Sequence, residues 1–107
     1  MNSQIDLRGA SGAVYRYRLA EDGAPRTAMS GNYVYLSGTA EAPVVLFIGE
    51  TDNLMLRAAG RWNEAVSSHG ATHMFTRLNI SGAARSDELQ DLVEALQPVM
   101  NQETVKR

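Results

Sequence analysis

The stretch VVLFIGETDNLMLR, residues 44–57, decides the fold. Its first five residues are all apolar and rich in β-branched side chains, which predicts a buried strand. Gly49 closes that run, and Thr51 or Asp52 is placed to cap a helix by accepting a hydrogen bond from an exposed backbone N–H. Leu54, Ala58, Trp62 and Val66 then recur every four residues, with Ala65 on the same face. This spacing predicts an amphipathic helix over 52–68, stopped by Gly70.

Working outward, AVYRYRL at 13–19 alternates, with Arg16 and Arg18 on the face opposite Tyr15 and Tyr17. EDGAP at 21–25 reads as a turn. NYVYLS at 32–37 alternates again, with Tyr33 and Tyr35 on one face and Val34 and Leu36 on the other. Residues 72–80 return to strand character, with Met74, Thr76, Leu78 and Ile80 sharing a face. Ser86 is placed to cap a last helix, and Asp87 and Glu88 suit its positive N-terminal end. Leu89, Leu92, Val93 and Leu96 form its apolar stripe, and Pro98 ends it. Residues 1–12 read as an irregular arm and 102–107 as a flexible tail. The expectation is one α+β domain over 13–101, in the order βββαβα, with helices packed on a small antiparallel-rich sheet. The glycines match neither the dinucleotide nor the phosphate-loop pattern.

Composition sets limits. The 107 residues suit one compact domain and contain no cysteine, which removes disulfides, thiolate nucleophiles and thiolate metal ligands. No apolar run approaches the length of a membrane span, so no membrane partner is expected. The opening MNSQIDLRG lacks the basic region and apolar core of a signal peptide. A soluble cytoplasmic protein is the expectation. Net charge is −2, so the whole chain carries no cationic signature for nucleic acid. The distribution is uneven. Residues 52–85 hold four arginines against two acids, and residues 86–107 hold five acids against two bases.

Three pieces of the chain resemble the GIY-YIG nuclease superfamily. GNYVYL at 31–36 is similar to its leading glycine–x–tyrosine strand. LFIGETDNLMLR at 46–57 resembles its aromatic–Ile–Gly strand end, with Thr51 following and Arg57 eight residues past Gly49. DLVEALQPVMN at 91–101 resembles its late helix, ending in proline, two residues and asparagine. The resemblance implies that Tyr33 and Arg57 act in catalysis and that Phe47, Gly49, Thr51 and Asn101 shape the site. Two positions depart from the pattern. Phe47 stands where the family has a second tyrosine, and Leu89, twelve residues before Asn101, stands at the glutamate position. Glu88 is the neighbouring carboxylate, rotated about 100° around a helix from Leu89.

Each candidate has a plainer explanation. Arg57 offers a two-pronged charged grip on a phosphate, or is an ordinary exposed helix arginine. Arg61, one turn on, extends a phosphate-binding patch or pairs with Glu64. Tyr33 offers a hydroxyl to water or phosphate, or packs on a half-exposed sheet face. Glu88 is the metal-ligand candidate, with Asp91 three residues on, yet an acid early in a helix is favourable for charge reasons alone. Trp62 reads as core. His69 and His73 are separated by Gly70 and so do not form a helical zinc pair. The resemblance therefore implies a nuclease-like domain that binds DNA or RNA, with weak or lost metal-dependent phosphodiesterase activity. If active, it uses Mg²⁺ or Mn²⁺, otherwise no cofactor. The alternatives are a non-catalytic protein-interaction or regulatory domain on the same scaffold. Sequence leaves the oligomeric state open.

Overall fold

The computed structural model describes residues 3–20, 24–39 and 41–105. The chain runs β1 (Gln4–Arg8), β2 (Val14–Ala20), β3 (Gly31–Gly38), β4 (Pro43–Thr51), α1 (Leu54–Arg57), α2 (Trp62–His69), β5 (His73–Leu78), α3 (Gly82–Leu96) and α4 (Val99–Val105). The strands form one sheet in the order β1-β2-β5-β3-β4, with every neighbouring pair antiparallel. This is the expected α+β class, with more elements than the expected order βββαβα.

Alternation along β3 divides the core between the two sheet faces. Tyr35 joins Leu46, Met74, Leu54, Ala58, Ala65 and Met100 on the face covered by α1, α2 and α4. Val34 and Leu36 join Leu7, Tyr17, Ile48, Phe75 and Leu92 on the face covered by α3. The apolar run 44–48 does not alternate strictly, because the β3–β4 register shifts between Tyr35 and Leu36. Tyr35 pairs with Phe47 and Leu36 with Val45, leaving Leu46 as the extra residue of a bulge. Leu46 and Phe47 both pack with the Tyr35 cluster.

Five expectations need correction. Residues 4–8, expected to be irregular, form β1, which buries Leu7 and half-buries Ile5 against the α3 face. The expected helix over 52–68 breaks into α1 and α2. Its cap is Asn53, whose side chain accepts from the Leu56 N–H, while Thr51 Oγ1 accepts from the Asn53 N–H and sets the approach. Residues 79–80 lie beyond the end of β5, and Ile80 is 76 % exposed. The last long helix starts at Gly82 with Ser81 as its cap, a turn before Ser86. The expected tail instead continues α4 to Val105. Gly70 does end α2, in a left-handed conformation. The expected turn at 21–25 falls largely outside the described residues.

Asn101 on α4 acts on the sheet directly. Its Oδ1 accepts from the Ile48 N–H (2.8 Å) and its Nδ2 donates to the Ile48 carbonyl (2.9 Å). The amide thus pairs with β4, an edge strand of the sheet, as another strand would. Asn101→Ala strips two backbone groups of their partner and is expected to lower stability by about 2 kcal/mol in urea unfolding. A change indistinguishable from wild type would refute this bracing role.

Candidate nucleic-acid interface

Tyr33 and Arg57 lie on the same side of the sheet. Tyr33 packs with Tyr35 and Phe47, its ring centroids 5.8 and 6.0 Å from theirs. Helix α1 sits on that side, with the Leu54 side chain over Gly31 at the start of β3. Arg57 ends this single turn and is exposed. So short a helix gives its termini little dipole, and Arg57 acts through its own charge.

Gly49 owes its identity to Tyr33. The two are cross-strand partners, and a Cβ on Gly49 would stand 2.5 Å from the Tyr33 hydroxyl oxygen. The phenol therefore lies over a strip of bare backbone. Its pKa is raised, first by burial and then by the Glu50 charge, with Arg61 opposing. The phenol stays protonated at neutral pH, which leaves it able to donate a hydrogen bond and unsuited to act as a base. Its hydroxyl bonds to no other described residue, and no described buried side-chain polar atom is left unsatisfied, so it is not fully shut off from solvent.

Register extends this site beyond the residues named from sequence. Across one sheet face run Gln4, Arg18, Thr76, Tyr33 and Gly49, each the register partner of the next. Strand spacing puts Arg18 about 10 Å from Tyr33, with Thr76 between them. Two shallow depressions meet at Thr76. One, of about 300 Å³, is lined by Arg16, Arg18, Arg77 and Leu78. The other, of about 290 Å³, is lined by Arg26 and Thr27 among others. Arg18, Arg26 and Arg57 are exposed and make no ion pair among the described residues. Arg16 is held by Asp6 at 2.8 Å. Arg61 is gripped by Glu64 through two bonds of 3.0 and 2.8 Å, with its guanidinium 5.1 Å from the Phe47 centroid. Phe47 thus packs under Arg61.

Glu88 lies elsewhere. It is 3 % exposed, on the α3 face of the sheet, opposite Tyr33. Its Oε1 accepts from Arg77 Nε (3.0 Å) and Asn79 Nδ2 (3.3 Å), and its Oε2 accepts from the Tyr17 hydroxyl (2.5 Å). Burial, reinforced by the Glu88 charge, pushes the Tyr17 pKa up. Asn79 Nδ2 also donates to Asn32 Oδ1, and Asn32 Nδ2 to the Arg85 carbonyl. Because α3 begins at Gly82, Glu88 sits in its second turn and faces inward beside Leu89 and Leu92. Asp91 is also occupied. It accepts from the Ser11 N–H and hydroxyl and from the Tyr15 hydroxyl, and these bonds hold its carboxyl below the usual range. The expected union of Glu88 with Tyr33 and Arg57 around Mg²⁺ or Mn²⁺ does not fit this arrangement, because Glu88 lies on the opposite face of the sheet and is enclosed by its own donors.

The Arg18 row was half-visible in sequence, since alternation set Arg16 and Arg18 apart from the tyrosines. Strand order, which seats β5 between β2 and β3, had no sequence signal. No protein-family model matches the chain, and neither a curated protein nor a solved structure does. No described helix is long and apolar enough to cross a membrane.

Proposed function

We propose that this domain binds nucleic acid through the phosphate backbone, as a GIY-YIG-like module whose phosphodiesterase activity is weak or lost. The observation carrying this reading is the set of exposed arginines without ion pairs, Arg18, Arg26 and Arg57, on the side of the sheet that presents the protonated Tyr33 hydroxyl. Arginine matches phosphate by two parallel charged hydrogen bonds, and a phenol adds a neutral donor. Gripping phosphate equally in ground and transition state gives affinity without rate. With Glu88 buried in its own hydrogen bonds, binding is the role that remains.

The test is fluorescence anisotropy with labelled duplex DNA, single-stranded DNA and RNA across a potassium chloride series. Three phosphate contacts give a slope of log K against log salt of roughly −2 to −3. The double variant Arg18→Glu/Arg57→Glu should abolish binding at low salt. Absence of binding by the parent chain at low salt would reject this reading. A protein-interaction role would then stand, favoured by a separate observation. Leu56, Leu78 and Ile80 are 69, 55 and 76 % exposed. Leu78 is the register partner of Gly31, beneath α1.

A further inference from the structure

We propose that Glu64, His69 and Glu103 form a binding site for a transition-metal dication of the Zn²⁺ type. Glu64 and His69 lie on α2 and Glu103 on α4, and one ligand atom from each lies within 4.8 Å of the other two. His69 Nε2 stands 3.5 Å from Glu103 Oε1, with the imidazole side chain only 18 % exposed. This nitrogen donor separates the group from a chance gathering of surface acids. Imidazole with carboxylates suits Zn²⁺, whereas Mg²⁺ and Ca²⁺ take oxygen donors. Zn²⁺ holds three protein ligands at about 2 Å and completes its shell with water. Reaching that distance requires the carboxylates to draw inward by about an ångström, within the range of side-chain torsions for Glu64 and Glu103, 44 and 43 % exposed. His69 is the last residue of α2, where the helix carbonyls favour a cation.

Arg61 now balances these acids. Its Nη2 lies 2.8 Å from Glu64 Oε2 and 4.0 Å from Glu103 Oε1. A dication and the guanidinium therefore compete for the same two carboxylates. The displaced guanidinium has other contacts at hand, the Phe47 ring and the Met100 carbonyl at 3.5 Å. This site owes nothing to Glu88 or to the nucleic-acid reading.

The experiment is calorimetric titration of the tag-free full chain with Zn²⁺, with visible absorption of the Co²⁺-loaded chain as a direct report on the ligands. One Zn²⁺ should bind per chain, and Mg²⁺ should not bind. His69→Ala and Glu103→Gln should each weaken Zn²⁺ by about tenfold or more. Arg61→Gln should tighten it by removing the competitor, and His73→Ala should leave it unchanged. Circular dichroism checks that each variant is folded, and Glu103→Gln, exposed and isosteric, keeps the test open if His69→Ala unfolds. Lack of Zn²⁺ binding by the parent chain would overturn the proposal. So would an affinity unaffected by loss of the imidazole or of the Glu103 carboxylate.

Discussion

Replacing Glu88 by alanine is expected to destabilise the protein by about 3–5 kcal/mol, the range seen when one member of a buried charged pair is removed. The carboxylate is the common acceptor for three donors: Tyr17 on β2, Arg77 on β5 and Asn79 just beyond β5. Its removal leaves the Tyr17 hydroxyl, on a fully buried side chain, without a partner. Each orphaned buried donor costs about 1–3 kcal/mol. Arg77 is 36 % exposed and can turn partly to solvent, so the loss should fall nearer the lower end of the range. Glu88→Gln keeps the volume and one acceptor oxygen and should cost less. Urea unfolding of the three proteins decides the matter. An alanine variant within 1 kcal/mol of the parent would show that this carboxylate does not hold the core together, and would reopen it as a functional group.

Gly31→Ala should cost about 3 kcal/mol, at the upper end of what overpacking a core usually costs. A Cβ at this position would press into the Arg77 carbonyl oxygen on β5 and stand 2.7 Å from Leu54 Cδ1. Leu54 has rotamers with which to retreat. The carbonyl belongs to the paired strand and can withdraw only if β3 and β5 separate. Gly49→Ala is the informative contrast, because there the added methyl meets the Tyr33 ring, which is partly exposed and free to tilt. Gly49→Ala should be milder in thermal unfolding and should shift the Tyr33 absorbance and fluorescence. Equal losses in both variants would argue that the strand backbone yields as readily as a side chain.

These two glycines show how a motif can be legible while its cause is not. The sequence by itself determined the α+β class, β2 to β5 to within a few residues, the assignment of Tyr33 and Tyr35 to one face, and the stop at Gly70. Those features follow from short-range periodicity and from backbone preferences of single residues. The family resemblance implied that Asn101 shapes the site, but its bracing of β4 was not legible, because Ile48 lies 53 positions away. Tertiary structure alone decided the rest. β1 was hidden because its segment QIDLR buries only Leu7 fully, and its pairing with β2 is what makes it a strand. Moving the start of α3 from Ser86 to Gly82 turned Glu88 from an exposed first-turn acid into a buried acceptor. A helix face is set by its packing partners, and a lone carboxylate beside an apolar stripe gives no sign of the tyrosine, arginine and asparagine that will enclose it. Alternation set Arg18 on the face opposite Tyr15 and Tyr17. Only the crossover that seats β5 between β2 and β3 placed it in one row with Thr76 and Tyr33. Strand order is fixed by which faces bury together across the whole chain, a long-range condition that local pattern does not carry.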